Sequence, residues 1–237
     1  QCVEAAAEWK KLKAKAEAAD KGKDTMTTPK TVQDAIALLA PFSSTDETRH
    51  TICQIVCFEV NVNGQFVIST DGKRLAYLQG EYGLTLKPGE TVARKLYHAN
   101  GTPVLDAMEY PNWQQVIPAE CKELIVLPTV KLTEAIKRVA KMTSDKSVAV
   151  KMTFENDKLT LTGGTPEVGE STAEVECSYK SVTPLTVSFN PAYLLDMLKA
   201  LKKLKLDSVV CRLTNAVTPG DFQSHDGTFR VVVMPMR

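Results

Sequence analysis

The sequence predicts an α+β protein assembled from repeated βαβββ units, with helices laid on one face of antiparallel sheets. Three observations carry this. Stretches with apolar residues at helical spacing alternate with stretches of strand-like alternation, and the two follow one another in a fixed order. That order occurs twice in the C-terminal half, as an internal repeat of roughly 55 residues. Turn residues such as Asn63-Gly64 separate neighbouring strand-like runs, which is the chemistry of antiparallel hairpins.

Along the chain, residues 3–19 place Ala5, Trp9, Leu12, Ala16 and Ala19 at helical spacing beside lysines, an amphipathic helix. Residues 21–28 are polar, contain Gly22, and read as a linker. A second helix is expected over 30–41, with Val32, Ala35, Ile36 and Leu39 inward and its end near Pro41. Two strand-like runs follow, 52–62 and 66–79, joined at Asn63-Gly64. Residues 81–107 read as loop and short strands. Prolines 111 and 118 confine the next segment to an extended connector.

From about residue 122 the pattern is regular. A strand at 123–127 leads to a helix at 131–142 and strands at 147–155, 158–163 and 172–180. The order then restarts with a strand at 185–189, a helix at 191–204, a strand at 208–213 and a last strand at 228–234. The expected division is an N-terminal helix and linker over 1–24, a shortened domain over 25–121 and a complete one over 122–237. In the shortened domain the second unit has no helix between Gln79 and Pro111. The N-terminal helix is therefore expected to pack, through Trp9 and Leu12, over the uncovered sheet.

Composition narrows the function classes. The chain has 237 residues, 43% hydrophobic and 24% charged, which is the balance of a soluble globular protein with ample core. No apolar run approaches the roughly 20 residues that span a bilayer, and no signal peptide is visible, so the expected location is cytoplasmic. Six cysteines show no CxxC spacing and three histidines lie far apart, so no zinc or other metal site is expected. Cys53 and Cys57 fall on one face of a strand and read as buried thiols. No Walker-type loop, GxGxxG or HExxH occurs, so neither cofactor nor catalysis is expected, and Ser224 to Gly227 (Ser-His-Asp-Gly) reads as a turn. These exclusions favour a binding protein over an enzyme.

The C-terminal run Val231-Val-Val-Met-Pro-Met-Arg237 is an apolar strand that Pro235 stops, followed by adaptable Met side chains. Together with Phe189-Asn-Pro-Ala-Tyr193, Ser69-Thr-Asp-Gly-Lys-Arg-Leu-Ala76 and Tyr110-Pro-Asn-Trp-Gln-Gln-Val-Ile-Pro118, it resembles the bacterial DNA polymerase III beta subunit, the sliding clamp. The resemblance covers about residues 30–237 and the family's second and third domains. It implies the DNA-clamp fold with curved sheets, and a pocket that captures short linear peptides of polymerases, the clamp loader and repair proteins. Carried over by position, the pocket wall is Thr70, Gly72, Arg74, Leu75, Pro111, Val116, Asn190, Tyr193, Val217, Val232, Met234, Pro235, Met236 and Arg237. Aliphatic and Met surface suits apolar peptide side chains, with Asn190, Tyr193 and Arg74 as polar groups. Lys73 stands where the family usually has His, and Gln115 where a basic residue is frequent.

Net charge of +1 is unevenly spread. The helix at 131–142 carries Lys131, Lys137, Arg138 and Lys141 against Glu134, and the helix at 191–204 carries Lys199, Lys202 and Lys203 with Asp196 on its outer face. Such faces attract duplex DNA through its phosphates without reading sequence. The resemblance implies that these helices line a channel around the duplex. The expected function is a sliding-clamp-like processivity factor, possible homo-oligomeric ring included, that tethers DNA polymerase, the clamp loader and other partners. The alternative is a ring-incompetent clamp-like interaction or decoy protein of phage or plasmid origin, and oligomeric state separates the two.

Overall fold

The computed structural model describes residues 26–46, 48–105, 108–119, 121–142, 149–165, 169–181 and 183–236. The helix expected over 3–19 and its docking lie outside these residues. Helix α1 is Val32–Leu39, continued by a 3₁₀ turn Ala40–Phe42. Its start is fixed by Thr31, whose hydroxyl accepts from the Asp34 N–H at 3.1 Å and donates to the Asp34 carboxylate at 2.7 Å. Ala35, Ile36, Leu38 and Leu39 face the core.

The strands β1 (Ile55–Asn61), β2 (Gly64–Thr70), β3 (Arg74–Gln79) and β4 (Val92–His98) follow. The single run expected over 66–79 is thus two strands. Asp71 breaks it, accepting from the N–H groups of Lys73 (2.8 Å) and Arg74 (2.9 Å), while Gly72 takes φ +83, a conformation open to glycine.

The C-terminal half contains β5 (Glu123–Pro128), α2 (Thr129–Ala140), β6 (Val150–Glu155), β7 (Lys158–Thr165) and β8 (Gly169–Glu176). It continues with β9 (Leu185–Phe189), α3 (Pro191–Lys203), β10 (Ser208–Leu213), β11 (Gly220–Gln223) and β12 (Phe229–Val233). This is the expected βαβββ order twice over. Strand β11 escapes the sequence because four residues, Gly-Asp-Phe-Gln, are too few for a period. Asn156 and Asp157, both at positive φ, form the tight β6–β7 turn. Strand β8 begins and ends earlier than expected, since Cys177 and Tyr179 leave it to bond the backbone of Asp157.

Among the described residues all strand pairs are antiparallel. Eight strands form one sheet in the order β4-β1-β2-β3-β12-β11-β10-β5, and β8-β7-β6-β9 form a second. The β3–β12 pairing, with Leu75 opposite Val232, joins the two halves of the chain into one continuous sheet. The main core lies between the sheets and helices α1, α2 and α3, and holds Phe58, Phe154, Phe189, Phe222 and Phe229 at 1% exposure or less. Burial of this apolar surface is the main stabilising term.

A smaller core covers the other face of β1–β3. There the connector folds into a 3₁₀ turn, Trp113–Val116, rather than staying extended, because Asn112 caps it and Trp113 packs at a tilt against Phe66 and Tyr77, with ring centroids 5.4 and 5.1 Å away. Among the described residues no helix stands between Gln79 and Pro111. Tyr82 and Leu84 join the main core from the loop there, at 9% and 8% exposure. Loop residues thus cover part of the sheet that the sequence leaves bare.

Candidate peptide-binding site and basic helix faces

Arg74 opens β3 directly after the Asp71 turn, and the strand's alternation points it at the helices while Leu75 points to the opposite face. Its guanidinium is held on all sides. Nε donates to Asp71 at 3.0 Å, Nη1 to Asp196 on α3 at 2.9 Å, and Nη2 to the carbonyl of Pro41 at 2.6 Å. The group lies 4.4 Å from the centre of the Tyr193 ring and 5.3 Å from that of Phe42.

Helix α3 begins at Pro191, whose fixed φ suits a first turn, behind Asn190, whose side chain accepts from the Ala192 N–H at 2.9 Å. Tyr193 therefore projects from the first turn towards Arg74. Burial, followed by the Asp71 carboxylate, raises its phenol pKa, and Arg74 opposes that shift. Beyond β12 the tail leaves the sheet, yet stays pinned. Met234 N–H donates to the Lys73 carbonyl at 3.0 Å and Met236 N–H to the Ser188 carbonyl at 2.8 Å.

Turn 71–74, the start of α3 and the tail thus meet at one place. Thr70, Gly72, Arg74, Asn190, Tyr193, Met234, Pro235 and Met236 are brought together there. Met234 and Met236 are 45% and 37% exposed, apolar surface of the kind that grips a ligand. Val217, 62% exposed, sits in the turn held by the Asn215 side chain just before β11, whose Gly220 pairs with Val233. Leu75 and Val232, at 3% and 1% exposure, are interior and back the site rather than line it. Pro111 and Val116 lie on the connector, which covers the other sheet face and reaches the group through Leu75. Arg237 lies outside the described residues. A separate depression of about 320 Å³ beside β4, lined by residues 94–97, Pro103, Val104 and Met108, shares no residue with this set.

Two features depart from the sequence reading. Arg74, 8% exposed, gives three of its five N–H donors to partners inside the protein, where the sequence reads it as a polar group for a ligand. Asp196 is turned in towards Arg74 instead of outwards. Asp71, Pro41 and Phe42 were not singled out by the sequence. Asp71 had a signal, as an acid before Gly in a turn, whereas the roles of Pro41 and Phe42 exist through packing alone.

Helices α2 and α3 pack against each other. Lys131, Lys137, Arg138, Lys141, Lys199, Lys202 and Lys203 are all exposed. Lys131 pairs with Glu176, Lys199 with Asp196, and Lys203 reaches the Ala37 carbonyl at 3.4 Å. Among the described residues Lys137, Arg138, Lys141 and Lys202 have no ion-pair partner. Among the same residues no cluster of three or more His, Cys, Asp or Glu could hold a metal, and no helix is long and apolar enough to cross a membrane.

Comparison with known proteins agrees with this architecture. The beta sliding clamp of Caulobacter vibrioides (strain NA1000 / CB15N) is 29% identical over 188 residues, 65% of this chain and 50% of that protein. The beta sliding clamp of Chlamydia pneumoniae is 28% identical over 224 residues, 82% of this chain and 59% of the relative. The chain therefore spans about half the length of the curated relatives it matches. A crystal structure of the DNA polymerase sliding clamp from Pseudomonas aeruginosa superposes with TM-score 0.75 over 86% of this chain and 65% of that one, at 20% identity, which shows the shared DNA-clamp fold. The family described as DNA polymerase III beta subunit, C-terminal domain, matches residues 114–237, more than half of the chain. With two βαβββ units in that span and the same fold beyond it, this chain belongs to the DNA polymerase III beta subunit, or sliding clamp, family.

Proposed function

We propose that this protein is a sliding-clamp-like processivity factor that surrounds duplex DNA and tethers replication proteins through a hydrophobic peptide site, without catalysing a reaction. The observation that carries the reading is the convergence of turn 71–74, the start of α3 and the exposed Met234–Met236 tail from three distant parts of the sequence. Apolar, adaptable Met surface beside a half-buried tyrosine suits the apolar side chains of a short peptide. Residues 25–121 would act as a shortened clamp domain and 122–237 as a complete one. Encircling DNA requires copies joined head to tail in a closed ring, the basic faces of α2 and α3 turned to the phosphates. Partners would be duplex DNA, DNA polymerase and the clamp loader, in the cytoplasm.

Titration calorimetry with a synthetic peptide whose end contains Leu and Phe tests the site. Shallow grooves of this kind reach about micromolar affinity, roughly 8 kcal/mol, because ordering the peptide consumes much of the contact energy. Removing Met234 to Arg237 should weaken binding at least about tenfold, near 1.4 kcal/mol, while leaving attraction to duplex DNA intact. Equal binding by the truncated and full chains would overturn the assignment.

A further inference from the structure

Resting on the peptide-site reading, we propose that Arg74 is the positioning residue of the groove, setting its width before any ligand arrives. Three walls are tied in a closed frame. The tail is tied to the turn by Met234 N–H to Lys73 carbonyl, and to the end of β9 by Met236 N–H to Ser188 carbonyl. Helix α3 is tied back to the turn by Arg74 to Asp196, a link across 122 residues. The first two ties are backbone hydrogen bonds that form with any side chain. The third is made by a side chain, so substitution can open the frame there.

The geometry is that of a planar group used on its face and its edge at once. One flat side lies 4.4 Å from the Tyr193 ring centre, Phe42 lies at 5.3 Å, and the rim bonds Asp71, Asp196 and the Pro41 carbonyl. A lysine carries the same charge but cannot bridge two carboxylates in a plane and stack on a ring together. Tyr193, half-buried, keeps its ring at the groove because Arg74 backs it. Holding the walls in place lowers the ordering cost of binding, so the frame acts on affinity through preorganisation.

The experiment measures two quantities for each variant, the dissociation constant of the Leu- and Phe-containing peptide and the thermal midpoint of the free protein. R74K is expected to bind at least about tenfold more weakly. D196N should weaken binding too, and the R74K/D196N double variant should bind no worse than R74K, since both open the same tie. I136V, which trims a buried side chain on α2, controls for general destabilisation. It should lower the midpoint and keep wild-type affinity. If R74K and D196N bind as the wild type does, Arg74 has no positioning role, even though the groove stands. If affinity tracks the midpoint across all variants, I136V included, the role is structural and the inference fails. Absence of binding by the wild-type chain itself would remove the groove and this inference together.

Discussion

Phe58 and Tyr82 meet edge to face, with ring centroids 5.4 Å apart and planes at 86°. Phe58 lies on β1, and Tyr82 comes from the loop that stands where a regular unit would place a helix. Edge-to-face contact aligns the positive rim of one ring with the negative face of the other, and the pair buries both rings in the main core.

Tyr82→Ala is therefore expected to lower unfolding stability by about 3 kcal/mol, the range for truncating a buried aromatic. Tyr82→Phe should be neutral or stabilising, because the hydroxyl is buried without a hydrogen-bond partner. Urea denaturation of both variants checks the pair. A destabilised Y82F would show that the hydroxyl has a partner in solution.

Asp221, 1% exposed, accepts from Arg230 Nε at 2.7 Å, Arg230 Nη2 at 2.5 Å and Arg212 Nη1 at 3.0 Å. Asp221→Asn leaves two largely buried guanidinium groups without their counter-charge and should cost about 3 kcal/mol. The same denaturation curves read it, and a loss below about 1 kcal/mol would mean that water reaches the arginines.

Alkaline pH supplies another test. Burial raises the Cys177 thiol from 9.0 to about 11, and raises the Cys57 thiol and the Tyr82 and Tyr110 phenols well above their ordinary values. These groups stay protonated in the folded chain while the unfolded chain releases their protons. Their contribution is complete below the unfolded value of 9.0 for the thiols and 10.0 for the phenols, and is lost as pH climbs past it. Stability should fall steadily from about pH 9 upwards, with one proton less of slope in Cys57→Val. Denaturation midpoints at successive pH values measure it.

For the basic faces, log affinity for duplex DNA should fall linearly with log salt concentration. Replacing Lys137, Arg138 and Lys202 with Ala should shrink the slope by roughly one unit for each residue that meets a phosphate. Peptide affinity should not change. A slope unaffected by all three substitutions would place the DNA elsewhere.

The helical spacing of Val32, Ala35, Ile36 and Leu39, the Asn63-Gly64 turn and the doubled βαβββ order were legible because each depends on residues close in sequence. The tail was legible as well, since Pro235 must stop a strand wherever that strand lies. Strand β11 was too short to carry a period, and Asp71 split an apolar run through side-chain bonds that hydropathy does not register.

Sequence alone determined most of the helices and strands, the family resemblance and the segments proposed to form the site. Tertiary structure decided how those segments are used. Arg74 reads as a polar group for a ligand, yet once β3 pairs with β12 and α1 and α3 close over it, its guanidinium faces two carboxylates, a carbonyl and two rings. Strand alternation fixes which face a side chain takes, and what waits on that face depends on partners far along the chain. The same holds for Leu75, which packs in a small core with Trp113 of the connector, and for Val232, buried opposite it, so that residues with the composition of a binding wall become its support.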